Sequence, residues 1–148
     1  MKSLQHSLFL FTILVMLVAV SSVSYAQDAE SLKATIQKHY HGINTGDLDE
    51  VMSHHLPEFS MFGTDGHALL ESGWQETASN MGTEIIFGEL QVTMKHFSAQ
   101  IYDNMGIAMF YLDGLMNGES KTTRVTAVWI WRNGEWREAH HHESPLKS

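Results

Sequence analysis

The carboxy-terminal part of the chain carries residues with an evident capacity for chemistry. Residues 140–143 read His-His-His-Glu, and an extended strand places alternate side chains on opposite faces. His141 and Glu143 would therefore share a face, where the imidazole could act as a base and the carboxylate could orient it. Arg124, on the preceding strand, could neutralise Glu143 or hold an anionic group. A solvated ion pair at a strand end is the alternative interpretation.

The same alternation divides the last strand into two sets of side chains. One face carries Arg137, Ala139, His141 and Glu143. The other face carries Trp136, Glu138, His140, His142 and Ser144. His140 and His142 have a spacing that is found in metal sites, and the third ligand that a metal needs could be His54, His55, His67 or Glu138. Partly buried histidines without a metal are the other interpretation of this pair, and we expect no metal and no other cofactor.

A β-hairpin would position these residues. Residues 123–131 are rich in β-branched and aromatic side chains, and Arg-Asn-Gly-Glu at 132–135 supplies a turn because Asn and Gly tolerate positive φ. One face of the first strand carries Val125, Ala127, Trp129 and Trp131, and the other carries Thr126, Val128 and Ile130. A strand that is apolar on both faces is covered on both sides. We therefore expect helices or a cavity on one face and a second copy of the chain on the other.

The elements before this hairpin predict an α+β domain. Helical spacing of apolar residues marks a helix over 28–43, which ends near Gly46. A short second helix, capped by Asp47 or Asp49, runs through His54 or His55, and Pro57 ends that unit. A hairpin over 58–70, a third helix over 72–81 and strands over 91–102 and 105–116 complete the order. Helices followed by a meander of strands predict helices packed against one face of a curved, mostly antiparallel sheet.

The first 26 residues have the pattern of a signal peptide. Lys2 precedes an apolar run over 8–20, which is shorter than the roughly 20 residues of a bilayer span, and Ser24-Tyr25-Ala26 fits the cleavage rule. We expect cleavage after Ala26, a single domain over 27–148, and export to the periplasm or the medium. An uncleaved anchor is the alternative; after cleavage no membrane association is expected.

Charge and composition restrict the partners. Removal of residues 1–26 takes away one lysine and no acid, which changes the net charge from −8 to −9. Such an acidic chain is a poor candidate for binding nucleic acid. The chain contains no cysteine, so thiol chemistry is absent.

Aromatic residues could line an apolar site. Tyr40 lies on the apolar face of the first predicted helix, and its hydroxyl needs a partner if it is buried. Phe62 and Trp74 could form part of an apolar wall. Plain core packing is the alternative for each of these residues.

Several local strings, in this order, resemble the NTF2-like superfamily, which has a cystatin-like cone of α+β structure. Ile43-Asn44-Thr45-Gly46-Asp47 follows the first helix. Thr126-x-Val128-Trp129, Gly134-x-Trp136 and His140-x-His142-x-Ser144 lie at the end. Within this superfamily the chain resembles SnoaL-like proteins and the association domain of calcium/calmodulin-dependent protein kinase II. That domain has an arginine where this chain has Ala127, and often a basic residue where it has Glu143.

The resemblance implies a cavity between the concave face of the sheet and the helices, and a homodimer through the other face. In that frame the ligand-binding residues would be Tyr40, Phe62, Trp74, Arg124, Ala127, Ala139 and His141. The expected function is binding of a small, largely apolar organic ligand. The alternative is a cofactor-free isomerase, cyclase or dehydratase that uses His141, Glu143 and Tyr40.

Overall fold

A computed structural model of the chain describes residues 27–63, 69, 90–116 and 118–146. Two helices come first, α1 (Ala29–Thr45) and α2 (Leu48–Ser53). Five strands follow: β1 (His55–Phe62), β2 (Gln91–Tyr102), β3 (Met105–Met116), β4 (Glu119–Arg132) and β5 (Glu135–Pro145). The α+β fold class predicted from the sequence is therefore confirmed. In the part of the chain that the structure describes, no helix is long and apolar enough to cross a membrane.

Local capping interactions define both ends of helix α1. The Ser31 backbone N–H donates to Asp28 Oδ1 at 2.8 Å, and the Asp28 N–H donates to Ser31 Oγ at 3.2 Å, which is a capping box. Gly46 ends the helix with φ of 75°, a left-handed conformation that glycine adopts without penalty. The buried face of the helix holds Leu32, Ile36, His39 and Tyr40.

The segment after α2 differs from the prediction. Helix α2 ends at Ser53 with His54 as its C-cap, as expected, but β1 begins directly at His55, and Pro57 lies within this strand. This strand is at the edge of the sheet, where a residue without an N–H is tolerated. It pairs in parallel with β5. The expected turn at 64–66 and the expected helix at 72–81 fall outside the described residues.

The sheet has the order β1-β5-β4-β3-β2, so the last four strands form the predicted antiparallel meander. Asn133 and Gly134 have φ of 57° and 87°, as expected for a tight hairpin between β4 and β5. Along β4, Val125, Ala127 and Trp129 are buried, whereas Thr126, Val128 and Ile130 are less covered. The predicted division of β4 is thus confirmed, and the buried side is called the inner face.

Helix α1 packs closely on the inner face. A Cβ added to Gly106 of β3 would lie 2.6 Å from Leu32 Cδ2, so the helix approaches the sheet closely here and a side chain at position 106 would displace Leu32. Trp136 of β5 donates from Nε1 to Ser31 Oγ at 2.9 Å. The first turn of α1 is thereby fixed over the start of β5.

A β-bulge in β5 changes the predicted alternation. Val128 pairs with His140 and Trp129 pairs with Glu138, so Ala139 is an extra residue between them. Trp136 and Glu138 therefore lie on the inner face together with His141 and Glu143. The expected placement of Trp136 and Glu138 beside His140 was wrong, because alternation over 136–144 was assumed to be unbroken. Arg137 is likewise on the outer face, opposite Ile130.

Candidate functional site

Glu138 lies at the centre of a buried polar cluster on the inner face. It is 2% exposed. Its Oε1 is 2.8 Å from His141 Nδ1, and its Oε2 is 3.3 Å from His55 Nε2. Its backbone N–H donates to the His54 carbonyl at 2.7 Å. This backbone hydrogen bond joins the turn between α2 and β1 to β5. The Glu138 carboxylate itself contacts residues of both β1 and β5.

His141 bridges two carboxylates. Its Nδ1 faces Glu138, and its Nε2 is 3.0 Å from Glu143 Oε1. A carboxylate only accepts hydrogen bonds, so both ring nitrogens donate and the ring is an imidazolium. Burial alone would lower the pKa of His141, but the charges and hydrogen bonds of Glu138 and Glu143 raise that pKa to about 10. His141 is therefore charged at neutral pH and has no free lone pair with which to act as a base.

Glu138 is ionised in spite of its burial. Removal from water would raise its pKa, but the positive charge of His141 and hydrogen bonds from His141 and His55 outweigh this and hold that pKa well below its usual range. The cluster thus contains a carboxylate–imidazolium–carboxylate chain that runs from Glu138 to Glu143.

Three further histidines, His39, His54 and His55, belong to this cluster. The ring of His39, on α1, lies 5.7 Å from that of His54 and 5.2 Å from that of His55. Burial, which is the largest effect, lowers the pKa of His39 to about 3 and also lowers the pKa of His54. His39, His55 and Glu138 are the described residues whose arrangement could hold a metal ion.

Sequence reasoning missed His39 and misplaced Glu138. The signal for His39 was its position, seven residues after Leu32 and three after Ile36, on the apolar stripe of α1. A histidine in such a stripe is buried, and its ring then needs a polar environment. The signal for Glu138 was hidden by the bulge at Ala139.

The inner cluster consists of Tyr40 together with His39, His54, His55, Glu138, His141 and Glu143. Tyr40 is buried, and its ring packs edge-to-face on Phe110 at 5.8 Å between centroids. Burial raises its pKa well above the ordinary value, and the charges of Glu143 and Glu138 raise it further. Its hydroxyl is therefore a permanent hydrogen-bond donor on the same side of the sheet as Glu143.

The other expected site residues are divided between the two faces. Ala127 is fully buried on the inner face and pairs with His141, and the bulged Ala139 is half-buried. Arg124 is exposed on the outer face, where it pairs with Ser144 and not with Glu143. The expected Arg124–Glu143 contact is thus wrong, because neighbouring positions on a strand point to opposite faces. Trp74 falls outside the described residues.

Phe62 is also on the outer face. It is 41% exposed, and its ring lies 5.9 Å from that of His140 and 5.7 Å from that of His142. His140 Nδ1 is 2.8 Å from Ser60 Oγ. The outer position of His140 and His142 agrees with the expected division of the strand, but three of the third ligands considered for them, His54, His55 and Glu138, lie in the inner cluster. His67 is not among the described residues.

A groove of about 350 Å³ opens at the outer face rather than beside the inner cluster. Its lining residues come from β2, β3, β4 and the end of β5: Lys95, His96, Tyr111, Asp113, Thr122 and Leu146. None of the expected site residues lines it. The groove therefore does not coincide with the inner cluster. We take the inner cluster as the candidate site, because its charged groups are buried.

Solved structures with the same fold have low sequence identity to this chain. A candidate ketosteroid isomerase from Parabacteroides distasonis is 14% identical, with a TM-score of 0.69 over 86% of this chain and 94% of its own. A candidate dehydratase of the NTF2-like family from Streptomyces avermitilis is 12% identical, with a TM-score of 0.69 over 80% and 96%. The CaMKII hub of S. rosetta is 17% identical, with a TM-score of 0.66 over 82% and 98%.

No curated protein sequence matches the chain. The family model described as SnoaL-like domain matches residues 32–148, which contain most of α1, all five strands and the whole inner cluster. With the NTF2-like, cystatin-like architecture of its helices and sheet, the chain belongs to the SnoaL-like domain family.

Proposed function

We propose that this protein binds a small organic ligand on the inner face of its sheet, with Glu143 as the polar anchor. The observation that carries this proposal is the unequal exposure of the two carboxylates that hold His141. The side chain of Glu138 is 2% exposed, whereas that of Glu143 is 18% exposed. Glu143 is therefore the charged end of the buried chain that a ligand can reach.

His141 positions the anchor. It engages Oε1 of Glu143, and among the described residues no hydrogen bond to Oε2 is formed. An ionised carboxylate accepts hydrogen bonds and donates none, so the group it recognises is a hydroxyl, an amine or another donor. The protonated Tyr40 offers the complementary donor for a ligand oxygen.

The surroundings favour a ligand that is otherwise apolar. Ala127, Phe110 and Trp129 are buried in the same inner layer. Apolar walls with a few polar groups that fix orientation are typical of small-molecule sites. A ligand with one or two oxygen or nitrogen functions on a hydrocarbon body matches this arrangement.

The test is a thermal-melt screen of small cyclic alcohols, ketones and amines, followed by calorimetry on each compound that raises the melting temperature. Glu143→Gln keeps the size of the side chain and removes its charge, and we expect it to weaken binding by about tenfold or more, as loss of a charge-assisted hydrogen bond does. The matched control is Glu119→Gln, because Glu119 is an exposed carboxylate on β4. Equal affinity of both variants for every compound would exclude Glu143 as the anchor.

A second candidate function is proton transfer at a carbon next to a carbonyl, as in an isomerase, cyclase or dehydratase. The specific observation in its favour is that a carboxylate and a permanently protonated tyrosine belong to one buried cluster. Glu143 would be the general base in place of His141, and Tyr40 would donate to the oxygen that becomes negative. Similar structures that bear the names ketosteroid isomerase and dehydratase support this candidate.

Deuterium exchange of enolisable ketones, followed by NMR, distinguishes the two candidates. An enzyme should exchange the α-proton faster than buffer, Glu143→Gln should abolish this exchange, and Tyr40→Phe should slow it by about 10²-fold. Ligand binding without exchange would leave the binding function and exclude proton transfer for those ketones.

We also propose a homodimer through the outer face. Ile107, Met109, Val128 and Ile130 form a half-buried apolar strip there. Apolar surface of this kind marks interfaces. The hub among the similar structures supports association of copies. Sedimentation at micromolar concentration tests it, and a monomer would refute it.

Export after cleavage following Ala26 is the corresponding proposal for residues 1–26. Its support is the Ser24-Tyr25-Ala26 string after an apolar run. The intact mass of protein recovered outside the cytoplasm should correspond to a chain that begins at Gln27. A mass that includes residues 1–26 would contradict it.

A further inference from the structure

Three side chains from three different elements converge beneath the inner face. His39 comes from α1, His55 from the start of β1 and Glu138 from β5. One ligand atom of each lies within 4.8 Å of the others. Their residues are 5%, 8% and 2% exposed, respectively. His39 Nδ1 is buried and makes no hydrogen bond within the described part of the chain, so a lone pair or a proton there has no partner from the protein.

We propose that His39, His55 and Glu138 form a binding site for a divalent first-row transition metal, with Zn²⁺ as the ion that fits best. Two imidazoles and one carboxylate are a ligand set that zinc sites use when a further position is left for water or a substrate. A buried histidine nitrogen without a partner is the kind of atom that a metal satisfies. This proposal is separate from ligand binding at Glu143 and goes beyond it.

The choice of ion follows from the donor atoms. Ca²⁺ and Mg²⁺ prefer all-oxygen sites, whereas imidazole nitrogen favours zinc, copper, iron and nickel. The chain has no cysteine, so a thiolate site is impossible. His54 lies close to His39, and its Nε2 is 3.2 Å from Glu50 Oε1, but it is not one of the three residues whose ligand atoms converge within 4.8 Å.

The carboxylate is already oriented for this role. Oε1 of Glu138 is held by His141, and the next group in that chain is Glu143. Oε2 of Glu138 therefore faces His55. Groups that hydrogen-bond to a metal ligand and orient it strengthen metal binding, and their removal commonly weakens metal affinity by about 10–100-fold. The metal centre would join α1, β1 and β5, and through the Glu138–His141–Glu143 chain it would lie next to the proposed anchor.

The experiment uses the whole mature chain, freed of metal with EDTA and then dialysed. Competition with a chromophoric chelator should give one tightly bound Zn²⁺ per chain, and added Zn²⁺ should raise the melting temperature because it binds the folded state. Co²⁺ in the same site should give the visible d–d absorption of a low-coordinate complex. His39→Ala should weaken Zn²⁺ binding by about 100-fold or more, since it removes a direct ligand and not only an orienting group.

The matched control is the double variant His140→Ala/His142→Ala. It also removes two imidazoles from the chain, but both are on the outer face, and Zn²⁺ affinity should be unchanged. If the double variant loses the ion while His39→Ala retains it, the site belongs to the outer pair and the inference is wrong. Absence of tight Zn²⁺ or Co²⁺ binding by the unaltered chain would also overturn it.

X-ray absorption of the zinc-loaded, unaltered chain covers the case in which His39→Ala does not fold. Two imidazole ligands and a carboxylate oxygen in the zinc shell are expected. A shell with no imidazole or a single one would contradict the site. Because this measurement does not involve Glu143, failure of the metal centre and failure of the proposed ligand anchor are distinguished.

Discussion

Glu138 and His141 point to the same face of β5 although they are three positions apart, because the bulged Ala139 lies between them. In a regular strand, residues separated by an odd number of positions face opposite sides. The extra residue brings His141 Nδ1 within 2.8 Å of Glu138 Oε1. A single inserted position thus creates the buried ion pair on which the inner cluster depends.

Loss of the Glu138 charge should destabilise the fold. We expect Glu138→Gln to lower the free energy of unfolding by up to about 3–5 kcal/mol, because the buried imidazolium of His141 then keeps only the partly exposed Glu143 as a partner. Glu143→Gln should cost less, since Glu143 is closer to solvent. Urea denaturation of EDTA-treated protein measures both, with Glu119→Gln as a control that stays within about 0.5 kcal/mol of the unaltered chain. Equal costs at 138 and 143 would contradict the central role of Glu138.

The metal-free protein should be most stable near pH 6.5, because two buried histidines act in opposite directions. Burial gives His39 a pKa of about 3, below its ordinary 6.5, so its contribution is present above pH 6.5 and is lost as the pH falls towards 3. His141 behaves in the reverse way. Its pKa of about 10, raised by Glu138 and Glu143 against the effect of burial, gives a contribution that is present below pH 6.5 and is lost as the pH rises towards 10.

Two variants distinguish the loss of stability at acid pH, the acid limb, from the loss of stability at alkaline pH, the alkaline limb. His141→Gln should flatten the loss of stability above pH 6.5, whereas His39→Gln should reduce the loss below it. Other titratable groups lie close to these two histidines: Glu138 and Glu143 from β5, His55 from β1, Tyr40 from α1, and His54 after α2, whose pKa burial also lowers. His54 therefore leaves part of the acid limb in place in His39→Gln. Melting temperature against pH in EDTA is the measurement, and an alkaline limb that is unchanged in His141→Gln would refute the assignment.

The packing of α1 on β3 should depend on the absence of a side chain at position 106. Gly106→Ala places a Cβ 2.6 Å from Leu32 Cδ2, and overpacking of this kind costs about 1–3 kcal/mol. In a Leu32→Ala background the same change should cost clearly less, because the clashing atom is gone. A double-mutant cycle by urea denaturation gives the coupling energy. A coupling near zero would show that the helix and β3 are not in this contact.

The apolar strip of the outer face should control association. We expect Val128→Lys to give a monomer at micromolar concentration, because a charge buried at an interface is costly. Ala34→Lys, at an exposed position of α1, is the matched control and should leave the dimer intact. Sedimentation velocity distinguishes the two variants. A dimer that survives Val128→Lys would place the interface elsewhere.

The sequence by itself determined the first two helices, the four-strand meander over β2–β5 and the order of these elements. Capping at Asp28, the left-handed Gly46 and the Asn133-Gly134 turn are local signals, and each depends on residues a few positions apart. The division of β4 into two faces also followed from alternation alone. Such features depend on short-range geometry, which neighbouring residues specify without the rest of the fold.

Only the tertiary structure decided the composition of the inner cluster. Pairing of β1 with β5 places His55 opposite Glu138, although they are far apart in the chain. The docking of α1 brings His39 to the same carboxylate. No local pattern encodes either contact, because each depends on long-range pairing and on helix packing. The bulge at Ala139 also depends on pairing with β4, so the sequence placed His141 and Glu143 together on one face but could not place Glu138 beside them.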